Sequence, residues 1–321
     1  MKNRITIPQS QRIDKMLSRL LNVSRNQIEK LIRGGSVEVN GRVVTKTSYK
    51  LAIGDEVEYE FVEAQESKSV GVDFDIDTIY EDDDILIINK PSGIVVHPAP
   101  SVKSATVVDW LIDRGISLST ISGEERHGIV HRIDKETTGA LVVAKNNQAH
   151  QNLSQQLQDK SMGRYYLALI DYPLKEDIVV DKPIARSPKN RLKMDIVEGG
   201  RDAKTSFVKL SEGRGDIELI VAKLYTGRTH QIRVHLATLG RHILGDELYG
   251  YRGKHSLVDR VNLHAYLLYL IHPTSGKKME FVAPIHSDME KLLYQNFDME
   301  IVKDKIVPYT IGDFFNPNYR V

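Results

Sequence analysis

The chain of 321 residues contains no cysteine. That absence excludes disulfides, thiolate metal sites and a cysteine nucleophile, and it fits a reducing compartment. Long apolar runs are missing too: none approaches the ~20 residues that a membrane-spanning helix needs. The N-terminus, MKNRITIPQSQR, lacks the apolar centre of a secretory signal. A cytoplasmic location and no membrane partner are expected on these grounds. The sequence has no P-loop, no dinucleotide fingerprint, no Gly-x-Ser-x-Gly elbow and no H-E-x-x-H pattern, so nucleotide hydrolysis, serine-hydrolase chemistry and a metalloprotease-type zinc site have no support. Internal repeats and low-complexity tracts are absent.

What is present is ordinary in bulk and uneven in detail. A hydrophobic content of 41% and a charged content of 27% fit a soluble globular protein. The length allows two domains, or one large domain with an appendage. The net charge of +1 hides an asymmetry. Residues 1–50 hold eleven Lys/Arg against Asp14, Glu29 and Glu38, a net +8, whereas residues 51–90 hold thirteen acids against Lys68 and Lys90, a net −11. A basic leading module aimed at a polyanion explains this split. A merely solvated basic face is the plainer alternative.

The pattern in that module is regular. Ser10 is placed to cap a helix whose apolar positions Ile13, Met16, Leu17, Leu20 and Leu21 follow a 3.6 period. Ser24-Arg-Asn-Gln27 has the form of a capping box and opens a second helix with Ile28, Leu31 and Ile32 inward. Gly34-Gly35 ends it. Val37 to Val44 reads as a hairpin with an Asn40-Gly41 turn, and Glu56 to Val62 as a further strand. Two short helices followed by a hairpin, with a basic outer face, resemble the S-four-type (alpha-L) RNA-binding domain over about residues 11–60. The resemblance implies that Arg12, Arg25, Lys30 and Arg33 meet RNA phosphates, contacts that supply grip but little sequence choice. The expected division is a module over 1–62, a polar linker over 63–74, a large domain over 75–295 and a tail over 296–321.

In the large domain, strands are expected at Ile85–Ile88, on both sides of the 131–136 loop, and at Tyr165–Ile170, Thr205–Leu210, Ile217–Leu224 and Phe281–Pro284. Helices are expected at Thr106–Arg114 and Asn147–Lys160, and after Thr229 as N-cap. Asn262–Pro273 reads as a buried strand or a short helix. Strands and helices mix without regular βαβ alternation, which points to an α+β domain around a mixed, mostly antiparallel sheet.

HGIVHRIDKETTGALVVAK, residues 127–145, places Asp134 among Arg132, Lys135 and Glu136 at the mouth of an apolar run. A solvated turn is the bland account. Eleven histidines invite a metal site at His127, His131, His230, His235 and His264, but His230 and His235 stand five apart, which splays them by ~140° on a helix. Hydrogen-bonded structural histidines fit better, and no metal is expected. Gly227-Arg228-Thr229 before a helix is able to hold an anion.

HRIDKETTGALVVAK looks like the H-R-L-D-x-x-T-S-G signature of RluA-type pseudouridine synthases. YEDDDILIINKPSGIVVHP, LYTGRTHQIRVH, GDELYG and NLHAYLLYLIHP resemble that family's other blocks, in order, over about residues 75–290. The fused basic module and the VVHPAP wording resemble the RluD-like branch, which modifies large-subunit ribosomal RNA. The departures are Ile133, Thr138, His242 and Ser101, and none touches the expected chemistry.

The resemblance implies that uridine in RNA is isomerised without a cofactor or metal. The base is detached from C1′, rotated and rejoined through C5. Asp134 takes the place of the catalytic aspartate, attacking the sugar C1′ or base C6, or taking a sugar proton. Arg233 is implied as its ion-pair partner, favouring the charged carboxylate in a dry pocket. The target base must first be flipped out. Arg132 then fills the vacated space or contacts a phosphate. Tyr166 stacks on the flipped base, unless it is plain core, and Tyr165 points to the other strand face. His131, Thr138 and Arg228 complete the expected substrate contacts. A monomer is expected. The rivals are a synthase acting on another RNA such as tRNA, a base-removing glycosylase, a metal-dependent hydrolase, and a non-catalytic RNA-binding assembly factor, which needs no Asp134–Arg233 pair.

Overall fold

The computed structural model describes residues 3–21, 25–60, 71–99, 102–119, 127–253 and 258–315. The proposed Ser24 cap and most of the 63–74 linker lie outside them, as do the side chains of Gln27 and Lys30.

The N-terminal residues build a small unit with its own core. Helices Ile13–Leu20 and Arg25–Arg33 pack on a sheet of strands Asn3–Thr6, Glu56–Tyr59, Val37–Val39 and Arg42–Val43, in that order. Ile13, Met16, Leu17, Ile28, Ile32, Val37 and Val57 are buried together. Each such aliphatic side chain contributes about 1.5–3 kcal/mol relative to exposure. Asn40 and Gly41 both have positive φ, 50° and 76°, the conformation a two-residue hairpin turn needs. Ser10 does not cap the first helix. Its hydroxyl donates to the Leu51 carbonyl, 2.8 Å away, and Arg12 holds the cap position without a side-chain bond. A short pairing of Gln11–Arg12 with Lys50–Leu51 draws Ser10 away from the helix end.

The large unit is an α+β arrangement around a ten-stranded mixed sheet. Its central path runs Ile178–Asp181, Lys204–Glu212, Ile217–Leu224, Gly163–Asp171, Leu263–Ile271, Thr138–Ala144, Ile85–Lys90 and Asp77–Glu81. All neighbours are antiparallel except Leu263–Ile271 with Thr138–Ala144, which run parallel. At that seam Gly139 (φ 108°) pairs with Ala265, and a Cβ on it would lie 2.4 Å from the Ala265 carbonyl oxygen. Only glycine fits there.

The expected helix forms over Val107–Asp113 and opens with a capping box, Thr106 and Asp109 bonding reciprocally. Helix Asn147–Asp159 is capped by Asn146. Asn262–Pro273 resolves as the strand Leu263–Ile271. Two expectations fail. Ile129–Val130 is not a strand: Ile129 makes one isolated bridge to Val143, on the edge opposite the one that pairs with Ile85–Lys90. Thr229 does not cap the helix Gln231–Ala237. His230 occupies the cap position, in the left-handed region at φ 57°, and Gln231 Oε1 accepts from the Thr226 hydroxyl and the Arg228 amide.

The sheet separates two cores. Tyr166, Ala168 and Ile170 face one, with Trp110, Phe207 and Ile232. Tyr165, Leu167 and Leu169 face the other, with Met289, Leu293, Val302 and Ile311 from helices Ser287–Asn296, Met299–Lys305 and Pro308–Ile311, and with Phe297 just after the first of them. The Tyr165 ring stacks on Phe315 at 5.3 Å. The C-terminal residues therefore cover the back of the strand that carries Tyr166.

Candidate active site

A cleft opens where the 131–137 loop, the strand Gly163–Asp171 and the start of helix Gln231–Ala237 meet. Arg132, Asp134, Thr137, Arg164, Tyr166, Arg228, His230 and Arg233 line it. Asp134 is held from below. Ile133, its neighbour, is buried in the core. The next residue is clamped: the Lys135 carbonyl accepts from the Gly93 amide and from Lys90 Nζ, both at 3.0 Å. Lys90 is fully buried and also donates to the carbonyls of Pro91 and Ile94. Burial pushes its pKa down to about 7, against the pull of Glu136 and Asp134.

Arg233 lies 3.5 Å from Asp134 through Nη1 and Oδ2. Its closest partner is a different carboxylate. Nε donates to Asp246 Oδ2 at 2.6 Å and Nη2 to Oδ1 at 2.7 Å, a fork that fixes the guanidinium plane. The Tyr249 ring lies below it, 4.9 Å away. Burial opposes the charge on Arg233, but Asp246 and then Asp134 outweigh it and raise its pKa. His230 approaches the same Asp134 oxygen, with Nε2 4.0 Å from Oδ2. Its Nδ1 lies 2.9 Å from the Tyr249 hydroxyl. Burial lowers the pKa of His230, so it is neutral at neutral pH. Arg233 and His230 thus both approach Oδ2 of Asp134, while Oδ1 has no hydrogen-bond partner among the described residues.

Tyr166 is 4% exposed and lines the cleft on the strand face expected of it. Burial raises its pKa, so the phenol stays neutral. Arg132 sits exposed at the rim, 3.5 Å from His97 Nε2. Arg228 lines the cleft and donates to the Asp202 carbonyl at 2.9 Å. Two residues expected here are elsewhere. His131 turns into the protein, where Nε2 accepts the Val142 amide and burial keeps the ring neutral. Thr138 is buried in the sheet, 2.8 Å from His264 Nδ1. Their neighbours Arg132 and Thr137 line the cleft instead.

The N-terminal arginines are less free than their sequence positions imply. Arg12 and Arg25 both bind the buried Asp14. Arg33 lies near Glu29, 3.7 Å away, and is largely exposed. Lys30 belongs to helix Arg25–Arg33, but its side chain is outside the described residues.

Sequence reasoning missed Asp246, Lys90 and Arg164. Asp246 stood inside the quoted GDELYG block, where nothing local singled it out. Lys90 had a local signal: a lysine closing an otherwise buried run, just before Pro91. Of the histidines weighed as ligands, His235 bonds Thr205 and Lys182, and His264 bonds Thr138 and Ala283. Among the described residues, one group of three donors is close enough for a metal ion: Asp82, Asp84 and His272. It lies outside the cleft, and Asp82 there already accepts from Tyr80, Asp84 and Ile85.

A buried strand tyrosine, a loop carboxylate and a doubly held arginine around one cleft suit chemistry on a planar base brought in from solution. Comparison with known proteins agrees. A family model for RNA pseudouridylate synthases matches residues 84–238, and one for the S4 domain matches residues 11–57. An uncharacterized RNA pseudouridine synthase of Helicobacter pylori is 45% identical over 299 residues, 90% of this chain and 91% of the relative. The ribosomal large subunit pseudouridine synthase D of Zymomonas mobilis is 38% identical over 292 residues, 88% of this chain and 92% of the relative. The solved structure of human RNA pseudouridylate synthase domain containing 1 shares the fold, with a TM-score of 0.52 at 24% identity over 69% of this chain and 94% of that one. The chain belongs to the RNA pseudouridine synthase family. It is an isomerase of uridine in RNA that carries an S4 domain at its N-terminal end. No helix among the described residues is long and apolar enough to cross a membrane.

Proposed function

We propose that the protein converts specific uridines of large-subunit ribosomal RNA to pseudouridine. The observation that carries this reading is the likeness, at 38% and 36% identity over nearly the whole chain, to two proteins named ribosomal large subunit pseudouridine synthase D. The reading places the enzyme in the cytoplasm, as a monomer, with the RNA as its partner.

Asp134 is the catalytic carboxylate in this reading, acting through Oδ1, with Arg233 holding Oδ2. Tyr166 stacks on the flipped uracil. Arg132, exposed at the rim, fills the space that the base leaves or meets a phosphate, and Arg228 meets the RNA backbone. Residues 1–62 act as the RNA-gripping domain, through Arg12, Arg25, Lys30 and Arg33, with 63–74 as linker, 75–295 as catalytic domain and 296–321 as tail. Asp14 supports this role, because it holds two guanidiniums side by side while leaving each about half exposed, at 41% and 47%. Such a pair is preorganised for phosphate.

The test is to map pseudouridine in unmodified large-subunit RNA incubated with the protein, beside small-subunit RNA and tRNA. Modification of large-subunit RNA alone is the expected result. Modification confined to tRNA would overturn the substrate assignment while leaving the reaction intact.

A further inference from the structure

Four arginines line the cleft. Arg233 is held by Asp246, Arg228 donates to a carbonyl, and Arg132 is exposed beside His97. Arg164 differs from all three. It is 92% buried (8% exposed), yet Nε and Nη1 are shielded from solvent and have no hydrogen-bond partner among the described residues. Its charge acts on His131, Tyr269 and Tyr166, and the Tyr166 side chain also hydrogen-bonds it. A buried cation with unmet donors is costly unless an acceptor joins it. Arg164 sits two residues before Tyr166 on one strand, so both project to the same face.

We propose that Arg164 contacts the substrate, hydrogen-bonding the uracil carbonyl at the end of the base remote from the sugar. This rests on the reading of Asp134 as the group at C1′ or C6 and of Tyr166 as the stacking ring. Asp134 is the more exposed, at 17%, and works near the sugar, while Arg164 lies deeper and meets the far edge. In uridine that edge carries O4. Uracil has a pseudo-twofold axis through N3 and C6. Turning the detached base about it exchanges N1 with C5 and O4 with O2. A guanidinium that reads O4 before the turn therefore reads O2 after it, from one fixed position. Arginine is donor-only, so it accepts either carbonyl and opposes the amino group that cytosine places there.

The same contact serves the chemistry. When the C1′–N1 bond breaks, its electron pair stays on the base, and the charge spreads over N1 and the carbonyl oxygens. A fixed cation in a water-poor cleft stabilises that anion. The C5–C1′ bond then forms, one proton leaves C5 and one is gained at N1, so composition is unchanged.

The experiment compares wild type with Arg164→Gln and Arg164→Lys on an RNA the wild type modifies. The target position carries either uridine or a single 4-thiouridine, whose sulfur is a poor acceptor. Single-turnover rate, RNA affinity and thermal midpoint are measured. Wild type is expected to slow about tenfold or more on the thio base; Arg164→Gln is expected to be about as slow on uridine and to lose no more on the thio base. RNA affinity is expected to change by less than about threefold, because phosphates supply it. Arg164→Lys keeps the charge and recovers part of the rate. A full-rate Arg164→Gln, or a thio effect that persists undiminished in that variant, would overturn the proposal. So would a rate loss matched by a fall in thermal midpoint in both variants, with the thio effect intact. Failure of the wider site reading would look different, as an Asp134→Asn protein that still forms pseudouridine.

Discussion

Two aspartates, each set among arginines, divide the molecule. Asp14 in the N-terminal unit is fully buried, and its carboxylate is saturated. Arg12 donates to both oxygens at 3.0 and 2.9 Å, Arg25 Nε donates to Oδ2 at 2.8 Å, and the Lys15 amide donates to Oδ1 at 3.0 Å. Burial opposes its charge, but the two guanidiniums outweigh it and hold the carboxyl below the usual range. Asp134 keeps 17% of its side chain exposed, and its contact with Arg233, through Oδ2, is long at 3.5 Å. The arginine there is anchored on Asp246 instead. A saturated carboxylate is structural; one that is oriented but left with a free oxygen is able to react.

The sharpest way to break this contrast is to neutralise each aspartate in turn. Asp134→Asn is expected to lower pseudouridine formation about a thousandfold or more while RNA still binds. A normal rate would remove Asp134 from the chemistry. Asp246→Asn frees the Arg233 fork, and the resulting misplacement is expected to cost about a hundredfold in rate with RNA affinity retained. A rate within about twofold of wild type would show that Arg233 needs no anchor. Asp14→Ala is expected to cost the N-terminal unit about 1–3 kcal/mol, read by hydrogen exchange in its helices, because Arg12 and Arg25 lose their shared acceptor. RNA affinity should fall and the rate at saturating RNA should hold. A lost rate with unchanged affinity would reverse the two roles.

The smallest effect concerns pH. All eleven histidines lie at or beyond His97, outside the N-terminal unit. Burial lowers the pKa of His131, His230, His235, His264 and His286, that of His264 to about 3. The unfolded value is about 6.5, so below it the unfolded chain binds more protons than the folded one. Stability of the large unit therefore falls as the pH drops below about 6.5. Asp14 acts in a lower window, since its depressed carboxyl stabilises above the unfolded carboxylate range and that gain is lost only as pH falls through the folded value. Between pH 7 and 5, hydrogen-exchange protection should drop in the large unit and hold in the N-terminal one. Equal loss in both would defeat the distinction.

Much of this was legible in the residues. The periods of Ile13, Met16 and Leu17 and the Asn40-Gly41 turn are local signals, and local structure followed them. The ordered blocks around Asp134, Tyr166 and Arg233 carried the family. Ser10 and Thr229 failed as caps because each helix end is set by a distant or intervening partner, Leu51 for one and Gln231 for the other. His131 and Thr138 sat within the right block but on the wrong side of the chain, which a motif does not specify.

The sequence alone determined most of the elements, the two kinds of unit and the family, because helix and strand periods and short motifs are encoded within a few residues. Only the tertiary structure decided who partners whom. Asp246 reaches Arg233 across 13 residues, Lys90 reaches the Lys135 carbonyl across 45, and Arg233 reaches Asp134 across 99. Such pairings depend on how the sheet brings separated loops together, and a guanidinium or ammonium finds its carboxylate or carbonyl by position in space.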